Sequence, residues 1–178
     1  TVDLEILVNI IQRRIKDDNI LWLIKQILNN YKTEIKNRGM PLGNLTSQFF
    51  ANVYLNELDY YVKHVLKIKY YIRYVDDFII MHKEIKTLHS YKEEINNYLK
   101  TDLKIELHPE KSKIIPLKNG ITFLGYRIFH NHKLLRKSNK TKFENSLKYK
   151  LELYDDGIMQ YEDLIESVRG WFGYAMWA

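Results

Sequence analysis

The chain contains no cysteine among its 178 residues, so it can form neither a disulfide bond nor a thiolate metal site. The redox compartment is therefore left open. The sequence also lacks any run of about 18 or more apolar residues, which leaves a membrane-spanning helix without support. It contains no internal repeat and no low-complexity segment. We therefore take the cytoplasm as the default location.

The composition indicates an ordinary globular protein. Hydrophobic residues make up 46% of the sequence, which is enough for a buried core in one domain, with or without a small appendage. The formal net charge is +6, which is compatible with a polyanionic partner but does not require one. Composition and net charge do not indicate a function, whereas the motifs of the sequence do.

Two adjacent carboxylates, Asp76 and Asp77, lie between two runs of strand-forming residues at 69–75 and 78–81. This pattern predicts a tight β-hairpin with acids at its tip. Divalent ions about 4 Å apart can stabilise both the attacking and the leaving oxygen of an in-line displacement at phosphorus, and Mg²⁺ prefers carboxylate ligands. The alternative is an ordinary turn whose two acids are merely solvated.

A second signal precedes the acids. In residues 39–44, GMPLGN, two glycines and a proline interrupt the chain just before a helical pattern that begins near Leu45. That arrangement predicts a backbone-lined pocket at a helix start, whose N–H groups would face a nucleotide or a template base. The alternative is a plain loop with Asn44 or Thr46 as the helix N-cap.

The two signals in this order, GMPLGNLTSQFFANVYLNELD at 39–59 and YIRYVDDFII at 71–80, resemble the palm of a reverse transcriptase. The first is similar to the family block that packs against template and incoming nucleotide, most often written Gln-Gly-x-x-x-Ser-Pro. The resemblance assigns nucleotide and template contacts to Pro41, Leu42, Gly43, Ser47 and Gln48. It also gives Tyr74, next to the acids, a place in the active site.

The first block departs from the common pattern at both ends. Leu42, an aliphatic residue, precedes the glycine, and Gln48 follows the serine. The reverse transcriptases of diversity-generating retroelements carry these residue types, so they are the nearest resemblance. In that family the substitution is associated with error-prone copying of template adenines. Group II intron, retron and phage-defence relatives remain as alternatives.

Two further blocks follow in the family's order. Residues 103–117, LKIELHPEKSKIIPL, resemble the segment that carries a lysine near the nucleotide phosphates, which would be Lys111 or Lys113. The next block resembles the primer-grip hairpin and consists of Phe123, Leu124, Gly125 and Tyr126. On its own, this tetrapeptide would be an unremarkable strand with a bulge glycine. The order of the blocks carries more weight than any single motif.

The resemblance implies an α+β fold, in which the antiparallel sheet of a polymerase palm packs on helices. The palm would span residues 1–130, without its first strand and the fingers, and residues 131–178 would begin a helical thumb. The implied activity is that of an RNA-directed DNA polymerase, a nucleotidyl transfer with two Mg²⁺ ions, or Mn²⁺ in their place. Asp76 would be a metal ligand and Asp77 a second ligand or supporting acid. The implied partners are an RNA template, a DNA primer or primer–template duplex, dNTPs and, as an option, an accessory protein.

The beginning of the chain resembles the tail of the first palm block. In the family, the first metal aspartate lies several residues before the position of Asp3, so we expect Asp3 to be a helix N-cap instead. Apolar residues at helical spacing follow it on one face: Leu4, Leu7, Ile11 and Ile15. We expect the chain to be an excerpt of a longer protein and, without that aspartate and the fingers, to be poorly active alone.

Hydrophobic periodicity predicts the secondary structure of the first three quarters of the chain. Helices are expected near 4–16, 19–30, 45–66 and 84–100. Strands are expected around Lys104 and at 122–129. On the third helix, Phe49 and Val53 are expected to be buried against a sheet.

The region after the primer-grip block is rich in basic residues, with Glu144 as the one intervening acid. The basic residues are Lys133, Arg136, Lys137, Lys140, Lys142, Lys148 and Lys150. Such a stripe would neutralise phosphates of a primer–template duplex, and the alternative is a solvated helix face. Beyond Ser138 we expect two helical stretches separated by a turn at 154–157, where Asp155 and Asp156 repeat the paired acids without strands beside them.

Two other functions remain open at this point. One is a nucleic-acid-binding module that keeps the palm fold without polymerising. The other is a metal-dependent nuclease, which would account for paired acids but not for the glycine block. Extension of a primer would separate the polymerase from both alternatives.

Overall fold

The computed structural model describes residues 2–30, 38–39 and 45–176. The chain divides into two compact units, Thr1–Ile114 and Ile115–Ala178. Both units contain helices and an antiparallel sheet, which confirms the α+β class. No helix in the described part of the chain is long and apolar enough to span a membrane.

The first unit opens with two helices, α1 (Leu4–Gln12) and α2 (Asp18–Asn29). Asp3 is the N-cap of α1. Its carboxylate accepts hydrogen bonds from the backbone N–H groups of Glu5 and Ile6, at 3.1 and 3.2 Å. The N-cap role expected for Asp3 is therefore confirmed.

Helix α1 is shorter than the predicted span of 4–16 because the next helix also requires an N-cap. Asp17 caps α2, and its carboxylate accepts hydrogen bonds from the N–H groups of Asn19 and Ile20. An N-cap residue has extended dihedrals, here φ −79° and ψ 119°, so the chain must leave the helical conformation before Asp17.

Helix α3 (Leu45–Tyr60) continues into a π-helical segment at Tyr61–Val65, which together match the helix predicted at 45–66. Its buried side chains recur every four residues: Phe50, Tyr54, Leu58 and Val62. Phe49 is 63% exposed, so the expectation that it is buried is wrong. Successive residues lie about 100° apart around a helix, and a stripe through Phe50 turns Phe49 outward. Val53 is partly buried against the core, which agrees with the expectation of burial but not specifically with burial against a sheet.

Helix α4 (Ile85–Asp102) matches the helix predicted at 84–100 and adds Ile95 and Leu99 to the same core. A buried hydrogen bond joins α3 to the residue that follows α4. The Tyr54 hydroxyl donates a hydrogen bond to the carbonyl oxygen of Leu103 at 2.5 Å, and burial raises the pKa of that hydroxyl to about 12.

The strand predicted around Lys104 is wrong. Lys104 adopts a left-handed conformation, with φ 49°, directly after the C-cap of α4. The N–H of Ile105 donates a hydrogen bond to the carbonyl oxygen of Leu99 at 3.0 Å, which turns the chain back over the end of the helix. Ile105 and Leu107 then pack against the core without strand pairing. Apolar alternation there marks burial rather than a strand.

The strands β1 (Tyr70–Tyr74) and β2 (Asp77–Met81) form an antiparallel pair. Tyr74 lies opposite Asp77, which leaves Val75 and Asp76 as a two-residue turn. The predicted hairpin with acids at its tip is therefore confirmed. Burial alternates along β1, so that Arg73 and Tyr71 lie toward the core and Tyr74 lies on the exposed face.

The second unit contains a three-stranded antiparallel sheet and two helices. The strands, in their order in the sheet, are β3 (Ile121–Phe123), β4 (Tyr126–Ile128) and β5 (Lys133–Leu135), with a short 3₁₀ turn, Leu117–Asn119, before them. The helices are α5 (Lys137–Asp155) and α6 (Tyr161–Ala175). They pack through the stacked rings of Phe143 and Trp171, whose centroids lie 4.2 Å apart. The two helices and the turn predicted between them are confirmed, and Gly157 has φ 70° in that turn.

Candidate active site

The two acids of the first unit lie at the tip of the β1–β2 hairpin. Asp76 occupies the second position of the turn, and Asp77 is the first residue of β2; both are exposed. Val75, in the first position, has φ 53°. This left-handed conformation is costly for a β-branched residue, by roughly 1–3 kcal/mol, and is found where the surroundings enforce it. The turn that carries the acids is therefore held by its neighbours.

Arg73 is the neighbour that holds the turn from the inside. Its Nη1 donates a hydrogen bond to the carbonyl oxygen of Val75 at 2.6 Å. The same guanidinium forms a bidentate pair with Asp59 of α3, with Nε to Oδ1 at 2.8 Å and Nη2 to Oδ2 at 2.5 Å. Only 11% of the Arg73 side chain is exposed. Bidentate charge-assisted hydrogen bonds are among the stronger polar contacts in proteins, so the arginine has one defined position.

Two further side chains complete this cluster. The Oδ1 of Asn52 accepts a hydrogen bond from Arg73 Nη1 at 3.0 Å, and its Nδ2 donates to the carbonyl oxygen of Gln48 at 3.1 Å. The Tyr71 hydroxyl donates to Asp59 Oδ1 at 2.6 Å. Helix α3 is thus joined through Arg73 to the turn that carries the acids. We call Asn52, Asp59, Tyr71 and Arg73 the support cluster.

The ionisation of the support cluster follows from these contacts. Burial acts to raise the pKa of the Asp59 carboxyl, but hydrogen bonds from Arg73 and Tyr71 and the positive charge of Arg73 outweigh it and bring that pKa below its usual value. The hydrogen bond to Asp59 raises the pKa of the Arg73 guanidinium. Burial, and then the bond to Asp59, raise the pKa of the Tyr71 hydroxyl. Asp59 is therefore ionised and Tyr71 neutral around pH 7.

Sequence reasoning missed the support cluster, although one signal was available. Arg73 lies at an inward position in the alternation of β1, together with Tyr71. An arginine at an inward position requires an anionic or polar partner, because an unpaired buried charge is costly. The pattern did not say that the partner would be Asp59, near the end of α3.

The residues assigned to the template and nucleotide block are only partly described. Pro41, Leu42 and Gly43 lie outside the described residues. Ser47 is half-buried and Gln48 is exposed, both in the first turns of α3. The carbonyl oxygen of Gln48 accepts a hydrogen bond from Asn52, and Asn52 in turn accepts one from Arg73 of the support cluster. The structure therefore connects the second half of this block with the Asp76 turn.

The remaining sequence-predicted residues of the first unit lie on the surface. Tyr74 is 58% exposed and lies opposite Asp77 in the strand pairing. Lys111 and Lys113 are both exposed in the segment that follows α4, on either side of the half-buried Ser112. The assignment of Lys111 or Lys113 to the triphosphate stays a prediction.

The block from Phe123 to Tyr126 forms a hairpin turn in the second unit. Leu124 and Gly125 have φ 50° and φ 86°, the two positive values that a type I′ turn requires. Phe123 pairs with Tyr126 across the turn. The tetrapeptide is therefore a hairpin and not a continuous strand with a bulge, whereas its contact with a primer stays a prediction.

The donor set at the hairpin tip suits a divalent cation only in part. Mg²⁺ usually takes one or two protein carboxylates and completes its shell with substrate phosphates and water. Asp76 and Asp77 supply two exposed carboxylates of that kind. Among residues 2–30, 38–39 and 45–176, no group of three or more acidic or histidine side chains is placed to hold a metal ion. The described residues therefore fit a site that substrate helps to complete.

The basic residues of the second unit do not all share one surface. Lys137, Lys140 and Lys148 are exposed and follow helical spacing on α5, where Lys140 Nζ lies 3.8 Å from Glu144 Oε1. Lys150 instead points at α6, and its Nζ donates to Ser167 Oγ at 2.6 Å. The surface that could bind nucleic acid therefore contains fewer residues than the basic set identified in the sequence, since Lys150 contacts α6 instead.

The helices, the antiparallel sheets and the hairpin that carries the acids are those of an α+β, palm-like fold. A family model described as reverse transcriptase (RNA-dependent DNA polymerase) matches residues 1–128. This match covers more than half of the chain, so the chain belongs to the reverse transcriptase family.

Two curated relatives are distant. The chain is 24% identical over 194 residues to the putative COX1/OXI3 intron 2 protein of Saccharomyces cerevisiae, an alignment that covers 72% of this chain and 22% of the relative. It is 25% identical over 165 residues to protein YkfC of Escherichia coli, which covers 72% of this chain and 43% of the relative. The chain thus spans less than half the length of either relative.

Proposed function

We propose that this chain is the catalytic palm and the start of the thumb of an RNA-directed DNA polymerase, which transfers nucleotides to the 3′-OH of a DNA primer on an RNA template. The observation that carries the proposal is the turn with Asp76 and Asp77, supported from α3, within a chain whose residues 1–128 match the family. The palm would cover residues 1–130 and the thumb would begin at residue 131.

Each group has a role in this proposal. Asp76 is a ligand of a divalent ion, Mg²⁺ or Mn²⁺, and Asp77 is a second ligand or a supporting acid. When bound, such ions stabilise charge on the reacting oxygens and phosphates. Lys111 or Lys113 faces the triphosphate, and Tyr74 lies beside the nucleotide. The template and nucleotide pocket comprises Pro41, Leu42, Gly43, Ser47 and Gln48, and the primer grip comprises Phe123, Leu124, Gly125 and Tyr126.

The subfamily is also a proposal. Leu42 and Gln48 favour a retroelement polymerase of the diversity-generating type. The similarity to a yeast intron protein favours the intron-encoded type instead. Both types use the same partners, which are an RNA template, a primer or primer–template duplex, and dNTPs. Base selection opposite adenine distinguishes the two.

Primer extension on an RNA template with Mg²⁺ tests the activity. Because the alignments cover a minority of each relative, the assay compares this chain with a longer form that includes any residues its gene encodes upstream. We expect extension by the longer form, its loss in Asp76→Ala, and little activity from the chain alone. Asp156→Ala is the matched control, since Asp155 and Asp156 form an exposed acid pair at the end of α5.

A non-catalytic nucleic-acid-binding module is the second candidate. The exposed Lys137, Lys140 and Lys148 of α5 favour it, because such a face can bind phosphates without any reaction. Duplex binding by the longer form without extension would favour this candidate over the polymerase. Cleavage of nucleic acid without extension would favour a nuclease.

A further inference from the structure

The carbonyl oxygen of Val75 connects the turn to the interior of the first unit. Arg73 Nη1 donates to it at 2.6 Å, and the residue that carries it has φ 53°. A valine leaves this left-handed conformation readily unless a contact holds it, because its branched Cβ crowds the backbone. The hydrogen bond from Arg73 is such a contact, and it reaches Val75 from the interior of the first unit.

Holding this oxygen also orients the next residue. The peptide group between Val75 and Asp76 is planar, so a fixed carbonyl oxygen fixes the amide nitrogen and the Cα of Asp76. The direction of the Asp76 carboxylate then depends on the φ dihedral of Asp76 and on its side-chain dihedrals. The pairing of Asp77 with Tyr74 restrains that φ from the other side. Small displacements of a reacting group cost large factors in rate, so this restriction bears directly on catalysis.

Arg73 can hold the turn because it is itself fixed at three other points. Two contacts go to the carboxylate oxygens of Asp59 and one to the amide oxygen of Asn52. Asp59 is held in turn by the Tyr71 hydroxyl. The pair is largely shielded, with 11% of the Arg73 side chain and 30% of the Asp59 side chain exposed, so solvent screens it less than a surface pair.

We propose that Arg73, clamped by Asp59 and Asn52, is a positioning residue that sets the Asp76 carboxylate for nucleotidyl transfer. This inference rests on the proposed polymerase function. It assigns the support cluster no contact with substrate. Its effect passes through the Val75 carbonyl to Asp76.

The geometry requires an arginine. Its planar fork reaches Asp59 through Nε and Nη2 while Nη1 reaches both Asn52 and Val75. A lysine has a single compact ammonium group and cannot span these acceptors at once. Arg73→Lys therefore keeps the charge and removes the positioning.

The test uses the longer form of the protein, after its primer extension has been established, with Arg73→Lys, Asp59→Asn and Asn52→Ala. The last is a milder change if the other two variants fold poorly. Glu57→Gln is the matched control. Glu57 lies two residues before Asp59 on α3 and pairs at 2.8 Å with Arg13, away from the turn. The measurements are kcat and the Mg²⁺ dependence of extension, the Kd for primer–template, and Mn²⁺ binding followed by electron paramagnetic resonance without dNTP.

For Arg73→Lys and Asp59→Asn we expect kcat to fall roughly 10- to 100-fold, half-maximal activation to need more Mg²⁺, and Mn²⁺ to bind more weakly. The Kd for primer–template should stay within about twofold, because the duplex contacts are untouched. In an Asp76→Ala background, Arg73→Lys should weaken Mn²⁺ binding no further, since both changes act through one carboxylate. Glu57→Gln should match the wild type in all four measurements.

Folded Arg73→Lys and Asn52→Ala proteins with wild-type kcat and Mg²⁺ dependence would overturn the positioning role while leaving the polymerase intact. Equal losses of activity in Glu57→Gln would also overturn it. The loss would then follow from removing any negative charge from α3 and would not require the contact between Asp59 and Arg73. Absence of extension by the wild-type longer form would instead remove the proposed function, and the inference with it.

Discussion

The hydroxyl of Tyr174 on α6 donates a hydrogen bond to the carbonyl oxygen of Gly125 at 3.1 Å, so the turn between β3 and β4 is held by the last helix of the second unit. A Cβ added at Gly125 would collide with that hydroxyl and lie 2.9 Å from Asn139 Nδ2. Tyr126 returns the contact by donating to the carbonyl oxygen of Tyr174 at 2.8 Å. The glycine is needed for this internal packing, whatever else the turn contacts.

Gly125→Ala should therefore destabilise the second unit by about 2–4 kcal/mol, since it adds a collision to the strain of φ 86°. Thermal or urea unfolding measures the change. Gly157→Ala is the control, because Gly157 has φ 70° but open space around it, so it should lose only about 1 kcal/mol. Adding Tyr174→Phe to Gly125→Ala should recover part of the loss. Equal losses at the two glycines would show that the collision is absent.

Acid should weaken the first unit through Asp59. The folded-state pKa of Asp59 lies below its unfolded value of about 3.9, so its stabilising contribution is present above that pH and is lost as the pH falls through the folded-state pKa. Asp59→Asn should lower stability at pH 7 and reduce the further loss below about pH 4. Urea unfolding at several pH values measures both effects, with Glu57→Gln as the reference for a lost acid on α3. The prediction would be contradicted if the free energy of unfolding of Asp59→Asn fell below about pH 4 as steeply as that of the wild type.

Asp3→Ala should cost about 1 kcal/mol of stability through the lost N-cap of α1 and should leave the Mg²⁺ dependence of extension unchanged. Asp3→Asn keeps a side-chain oxygen that can cap the helix and should stay close to the wild type. The two variants are compared by thermal unfolding and by Mg²⁺ titration of the longer form. An increased Mg²⁺ requirement in Asp3→Asn would point to a metal role and against a simple cap.

Replacing Lys137, Lys140 and Lys148 together by alanine should weaken binding of a primer–template duplex and reduce the slope of log Kd against log salt by roughly 2 to 3. The slope falls because fewer phosphate contacts release fewer counterions. Fluorescence anisotropy at several salt concentrations measures it. Lys150→Ala is the control, since that ammonium donates to Ser167 and should affect stability more than affinity. An unchanged slope in the triple variant would make these lysines an ordinary solvated helix face.

Leu42→Gln combined with Gln48→Pro, in the longer form, should lower misincorporation opposite template adenine if the subfamily assignment is right. Sequencing of extension products on one RNA template measures the error at each template base. Errors opposite the other three bases serve as the internal control. An unchanged error rate opposite adenine would reject the role proposed for these two residues.

Short-range signals carried most of the correct local predictions. The N-cap at Asp3 depends on contacts between residues two or three positions apart. The turn after α5 likewise depends on neighbouring residues, because few backbone conformations fit such a short segment. The hairpin at Asp76 is of the same kind, because two strand-forming runs around a two-residue turn leave one simple pairing. The same reasoning failed around Lys104, where apolar alternation reflected packing over a helix end.

The sequence by itself determined the helices and the position of the acids at a hairpin tip, because these follow from local periodicity and turn chemistry. The resemblance of its motif blocks identified the family. Only the tertiary structure decided what supports the two turns. Arg73 meets Asp59 from 14 residues away and Asn52 from 21, and Tyr174 reaches Gly125 from 49. A periodic pattern shows that a side chain points inward, but the partner it meets depends on how separate elements pack, which no local pattern contains.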